Sequence, residues 1–178
     1  YDLLNRVLSL GLDVRWRREA VRLGLERNPA DVLDVATGTG DVAFELRRQA
    51  PAVRITGLDF SEGMLELARV KDARLGAGVE FVSGDAQALP FPDASFDLVT
   101  IAYGLRNLAE PERGLAEFHR VLRPGGRLVV LEFSQLPVPA MQWLYDRYSF
   151  NVIPALGQAV TGDRDSYQYL VESIRKFP

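Results

Sequence analysis

The chain has 178 residues, 47% of them apolar and 25% charged, which is the composition of one soluble globular domain. Its net charge of −3 speaks against a general nucleic-acid binder, and the lack of cysteine excludes disulfides and thiolate metal sites. No stretch approaches the roughly 20 consecutive apolar residues of a membrane span, and no signal peptide is read at the start.

In chain order, residues 1–27 read as an amphipathic helical cap, with Leu4, Val7, Leu8, Leu12 and Trp16 able to share one face. Five β-branched runs follow: VLDVAT (32–37), RITGLDF (54–60), VEFVSGD (79–85), FDLVTIAY (96–103) and RLVVLEF (127–133). Each is nearly continuous in apolar residues, as expected of strands buried on both faces of a parallel sheet. Helical patterns lie between them: VAFELRRQA (42–50), SEGMLELARVK (61–71) with Ser61 as N-cap, and PERGLAEFHRVL (111–122) before the turn Pro124-Gly125-Gly126. Strand–helix alternation predicts right-handed crossovers and an α/β fold with a doubly wound, mostly parallel sheet. Residues 135–160 break this pattern, being rich in Pro, aromatic and aliphatic residues, and read as an apolar lid-like insertion. A last helix is expected over SYQYLVESIRKF (166–177). The chain starts at Tyr1 without methionine and is expected to be part of a longer protein.

The sharpest local signal is DVATGTGD (34–41), where a strand ends, Gly38 and Gly40 make a turn and a helix begins. Such glycines let backbone approach a ligand and expose N–H groups at a helix start. Gly38, Gly40 and Ala43 also satisfy the dinucleotide pattern G-x-G-x-x-G/A, so the loop alone does not choose between a nicotinamide dinucleotide and S-adenosylmethionine. Asp59, ending the second strand, is placed to accept both ribose hydroxyls of an adenosine, which the two cofactors share. Asp85, in Gly84-Asp85-Ala86 at the end of the third strand, is placed to accept an adenine amino proton, for which a dinucleotide fold has no standing need. Asp34, Gly38, Gly40, Asp59 and Asp85 all fall at carboxyl ends of strands, the edge where open α/β sheets bind ligands.

The loop, the acid after strand two, the GDA after strand three and LPFPDASFD (89–97) resemble class I S-adenosylmethionine methyltransferases. Further motifs are similar to the ubiquinone/menaquinone biosynthesis C-methyltransferase family: YDLLNRVLSLGLDVRWR (1–17), GLRN (104–107), RVLRPGGRLVVLEFS (120–134), YDRYSF (145–150) and GDRDSYQYLVESIRKFP (162–178). The resemblance covers the whole chain. It implies a Rossmann-like methyltransferase fold, S-adenosyl-L-methionine as cofactor, and C-methylation of an isoprenoid quinol ring in menaquinone or ubiquinone biosynthesis, with demethylmenaquinol the favoured acceptor. It implies that Thr39, Asp59, Asp85 and Ala86 contact the cofactor, that Ala102 lies near it after strand four, and that Asp34 orients the loop. It also implies a further helix and an antiparallel strand pair beyond Pro178, which the present chain is expected to lack. The family's first signature usually has histidine where this chain has Asp13, so that histidine is not carried over.

Methyl transfer to a quinol ring carbon needs a phenolate, which a nearby cation favours, and a held geometry. Arg106, just past strand four, is the candidate cation. Asn107 is a candidate hydrogen-bond donor to a quinol oxygen, and Tyr1 is expected to reach the pocket if the first helix covers it. His119, the only histidine, sits among Glu117 and Arg120 on an outer helix and reads as a solvated residue rather than a base. No metal constellation and no Ser-His-Asp set is arguable. The segment from Pro137 to Gly157 offers an apolar path for a prenyl tail, or packs structurally on the sheet. The expected partner is the quinol, with no nucleic acid. The expected location is cytoplasmic or peripheral at the inner face of the membrane, with a homodimer left open. The alternatives are a methyltransferase for another small molecule, a non-catalytic cofactor-binding module, and a nicotinamide oxidoreductase.

Overall fold

The computed structural model describes residues 12–133. Tyr1, the 135–160 insertion and the helix expected at 166–177 lie outside the described residues. Backbone contacts gather Arg15–Glu132 into one unit. The elements are α1 (Leu12–Leu25), β1 (Asp31–Val35), α2 (Asp41–Gln49), β2 (Arg54–Asp59), α3 (Glu62–Leu75), β3 (Glu80–Ser83), β4 (Phe96–Ala102), a short 3-10 turn (Leu105–Asn107), α4 (Pro111–Val121) and β5 (Leu122–Leu131).

The strands form one five-stranded sheet in the order β3-β2-β1-β4-β5, every pair parallel. The order reverses between β1 and β4, so the crevice of a doubly wound sheet opens beyond their carboxyl ends. The central strands are almost wholly buried, with Val32, Leu33, Leu98 and Val99 at 0% exposure. That burial on both faces is why these runs carry no polar alternation.

Local chemistry sets the helix ends. Ser61 caps α3 by accepting from the Met64 N–H, and Gly76 closes it in the left-handed region at φ 61°. Pro111 opens α4, where its missing N–H leaves no intrahelical bond unmade. α1 lies close to the sheet at Gly24: a Cβ there would stand 2.9 Å from Leu98 Cδ2.

The fifth strand begins earlier than its sequence suggests. Leu122 already pairs with Phe96, and ladder pairing resumes at Arg127↔Leu98 after an irregular stretch in which Gly125 takes φ 80°. The Pro-Gly-Gly turn therefore bulges out of a strand instead of preceding one.

The bulge serves the amino edge of the sheet. Arg123 donates to Asp31 Oδ2 at 2.8 Å and Asp97 Oδ1 at 2.9 Å, and Arg54 grips Asp31 with two bonds of 2.5 and 2.8 Å. Asp97 Oδ2 accepts from the N–H groups of Ala30 and Asp31. The Arg54 guanidinium holds the Asp31 carboxyl below its ordinary range, and Arg123 does the same for Asp97. The starts of β1, β2, β4 and β5 are thus tied at the edge opposite the crevice.

Candidate active site

The crevice is a cleft of about 590 Å³ at the carboxyl edge of the sheet. β1 and its loop supply Ala36 and Gly38, β2 supplies Leu58 and Asp59 with Phe60 after it, and the β3 end supplies Gly84, Asp85 and Ala86. The far wall is Ala102, Tyr103, Gly104 and Asn107, at the end of β4 and in the 3-10 turn.

Three devices shape the glycine loop. Asp34, 1% exposed under the loop, accepts from Thr37 Oγ1 at 2.6 Å and from Thr100 Oγ1 at 2.7 Å. It thereby joins the loop to β4. Burial pushes its carboxyl up to about 6, against the lowering effect of the two hydroxyls. Second, the Thr37 N–H donates to Leu58 O at 3.0 Å and the Gly38 N–H donates to Asp59 Oδ2 at 2.8 Å, docking the loop on the end of β2. Third, Gly38 has φ +57°, and a Cβ built on it meets nothing within 4 Å. Space is open there, and the backbone conformation is one only glycine takes without strain.

Two non-glycine residues hold positive φ at this edge, Ala36 at 53° and Tyr103 at 58°. Both line the cleft. Strain of this kind costs about 1–3 kcal/mol per residue and gathers at functional sites. Between them Gly104 lies so close that a Cβ on it would be 2.6 Å from Ala36 Cβ, so the two strand ends meet only because position 104 has no side chain.

The acidic residues keep acceptor capacity. Asp59 Oδ1 accepts from the Ser61 N–H at 2.9 Å and Oδ2 from Gly38, one bond each where a carboxylate oxygen can take two. Asp85 Oδ1 accepts from the Gln87 N–H at 2.8 Å, and its Oδ2 receives no hydrogen bond from the described residues. Phe60, directly after Asp59, is 83% exposed beside the cleft, an apolar ring without apolar cover. Sequence reasoning passed over Phe60 because it reads as the last residue of a buried strand. The signal available was its place one step beyond an acid that ends β2.

Of the sequence-predicted residues, Gly38, Asp59, Asp85, Ala86, Ala102 and Asn107 meet in the cleft wall. Gly40 caps α2 at φ 87°. Thr39 Oγ1 accepts from Lys71 Nζ at 2.7 Å, an anchor to α3 that the sequence did not suggest. Arg106 is placed differently from a cation turned to a ligand. Its side chain is 7% exposed, and Nη1 donates to Glu132 Oε1 at 2.5 Å and to Tyr103 O at 2.6 Å. His119 is exposed on α4, as expected. Asp13 is buried in the first turn of α1 at 4% exposure.

These features fit an adenosine bearing a cationic sulfonium tail. Two carboxylates with spare lone pairs suit hydroxyl and amino donors, and an exposed aromatic suits the base. The glycine loop leaves room for the backbone to approach.

Comparison with known proteins points to the same cofactor. The sequence profile of the ubiE/COQ5 methyltransferase family matches residues 1–178. The chain is 55% identical over 181 aligned residues to a ubiquinone/menaquinone biosynthesis C-methyltransferase of Paracoccus denitrificans, covering 100% of this chain and 72% of that protein. It is 52% identical to a demethylmenaquinone methyltransferase of Thermus thermophilus, covering 100% of this chain and 81% of that protein. Among solved structures, a SAM dependent methyltransferase from Aquifex aeolicus superposes with TM-score 0.57 at 28% identity, over 62% of this chain and 60% of that one.

Proposed function

The chain belongs to the ubiE/COQ5 methyltransferase family, and on that premise we propose that its cleft serves the transfer of a methyl group to the ring carbon of an isoprenoid quinol. It is an S-adenosylmethionine-dependent C-methyltransferase of menaquinone or ubiquinone biosynthesis, and the favoured step is demethylmenaquinol to menaquinol. The observation that carries this reading is the match, over all of this chain and 72% and 81% of theirs, to proteins named for that chemistry, joined to a cleft whose acids suit an adenosine.

When bound, S-adenosylmethionine supplies an electrophilic methyl group on a sulfonium sulfur. Asp59 is the acceptor for the ribose hydroxyls, Asp85 Oδ2 for the adenine amino group, and Phe60 offers its exposed ring to the base. Ala86 and Ala102 are small side chains that leave the cleft its width. Gly38 keeps the loop clear of the ligand, and Asp34 holds the loop from below. Thr39 and Gly40 fix the other side of the loop through Lys71 and the start of α2.

The acceptor side is assigned to the wall beyond β4. Asn107, exposed at the cleft, is the donor proposed for a quinol oxygen. Arg106 supports the wall from behind, its charge paired with Glu132. Holding the ring carbon in line with the methyl carbon supplies much of the rate, since positioning replaces a random encounter. Contact with the membrane surface follows from the lipid character of such a quinol. Among the described residues, no helix is long and apolar enough to cross a membrane.

Calorimetric titration with S-adenosylhomocysteine and, separately, with NADH tests the cofactor half. The reading expects a saturable isotherm with S-adenosylhomocysteine and none with NADH. Binding of NADH alone overturns it.

A further inference from the structure

Glu132 lies in the motif RVLRPGGRLVVLEFS without any site role expected of it, yet it makes the most buried ion pair among the described residues. Its side chain is 6% exposed and Arg106's 7%, whereas the other described pairs are more open. The carboxylate takes both ends of Arg106: Oε1 accepts from Nη1 at 2.5 Å and Oε2 from the Arg106 backbone N–H at 3.2 Å. The same Nη1 donates to Tyr103 O, and that carbonyl also accepts from Asn107 Nδ2 at 3.3 Å. Just before this turn, the Tyr103 N–H bonds Leu131 O at 2.7 Å, and Tyr103 then takes φ 58°.

A buried carboxylate at the end of β5 therefore clamps a strained turn at the end of β4. The turn's other side is the cleft wall formed by Tyr103, Gly104 and Asn107. Glu132 and Arg106 themselves are not among the residues that line the cleft. Buried ion pairs rarely add net stability over apolar residues of the same size, because desolvation offsets attraction. Fixing one geometry is a use such a pair serves better than cohesion.

We infer that Glu132 is a positioning residue for the acceptor: its carboxylate, through Arg106, holds the Tyr103–Asn107 turn so that Asn107 faces the quinol. The inference rests on the acceptor side assigned above and adds to it a residue that touches neither ligand. It separates two effects. The adenosine acceptors Asp59 and Asp85, at the ends of β2 and β3, make no hydrogen bond to this clamp, while the acceptor wall is built on it.

The test uses the whole chain with Glu132→Gln and the double variant Arg106→Met/Glu132→Leu. Removing one partner leaves a buried charge alone and lowers the melting temperature, whereas removing both restores it towards that of the parent. In both variants S-adenosylhomocysteine affinity is expected within twofold of the parent. Quinol turnover is expected to fall at least about tenfold and to stay low in the double variant after the melting temperature has recovered. The Asn107 side-chain amide signals in a nitrogen–proton spectrum, assigned with Asn107→Asp, are expected to move in both variants. Recovery of turnover together with stability in the double variant overturns the inference, because the pair is then only structural. Loss of S-adenosylhomocysteine binding in both variants also overturns it, since the pair then supports the whole site. The amide signals report on the clamp without any substrate, so failure of the parent to methylate a quinol counts against the proposed function and leaves the clamp to be judged on its own.

Discussion

The Gly38 N–H donates to Asp59 Oδ2 over 2.8 Å, so the carboxylate proposed for the ribose also holds the glycine loop. One side chain thus orders the loop before a ligand arrives and keeps lone pairs for it. Asp59→Ala is expected to weaken S-adenosylhomocysteine binding at least about tenfold, since hydrogen bonds to a charged group are each worth roughly 1.5–3 kcal/mol. A modest fall in melting temperature accompanies it, because the Gly38 and Ser61 N–H groups lose their acceptor. Calorimetry at a temperature where the variant is folded checks the first effect; unchanged affinity removes Asp59 from the site.

Phe60 separates binding from stability more cleanly. At 83% exposure it contributes little to the core, so Phe60→Ala is expected to leave the melting temperature nearly unchanged. Loss of an aromatic face under a base costs about 1–3 kcal/mol, so affinity is expected to fall roughly fivefold or more. If affinity holds while stability drops, the ring is packing and not a platform.

Asp34 gives the protein a pH dependence of definite sign. Its folded value of about 6 lies above the ordinary 3.8, so its contribution to stability is complete below about 4 and is lost as pH rises through 6. Asp31, Asp97 and Glu117, all held low by arginines, act in the opposite sense: their contributions exist above their ordinary values and are lost on acidification. Comparison with Asp34→Asn isolates the buried group. Between pH 4.5 and 7.5 the parent is expected to lose about 2 kcal/mol relative to the variant, measured by urea unfolding. A difference between the two that does not change with pH contradicts the burial argument.

Asn107→Ala is expected to raise the quinol KM or lower kcat at least about fivefold, the effect of losing one hydrogen bond of about 1 kcal/mol, with S-adenosylhomocysteine affinity unchanged. His119→Ala, on the exposed face of α4, is expected to be silent in both assays. A tenfold or larger loss of turnover in His119→Ala would contradict its reading as a solvated residue.

Much of this architecture was legible in the chain. The β-branched runs located all five strands because burial on both faces leaves no room for polar alternation. The places of Asp59 and Asp85 at the carboxyl ends of strands, and of Asp34 just before the glycine loop, were legible as well. What the sequence hid were relations between distant residues. Nothing local says that Glu132 meets Arg106 across 26 positions, or that Arg123 reaches from a bulge to Asp31 and Asp97. Arg106 looked like a cation for the ligand because its partner lies on another strand. β5 was started too late because Pro124-Gly125-Gly126 reads as a turn, and only the pairing of Leu122 with Phe96 reveals a bulge.

The central claim is methyl transfer to a quinol ring carbon. Its most direct test incubates the protein with S-adenosylmethionine labelled in the methyl group and with a short-chain demethylmenaquinol or the corresponding demethyl benzoquinol, followed by chromatography of the quinone products. The account predicts label at a ring carbon of the naphthoquinone, at a higher rate than with the benzoquinol. Label on neither ring, from protein that binds S-adenosylhomocysteine, would contradict it.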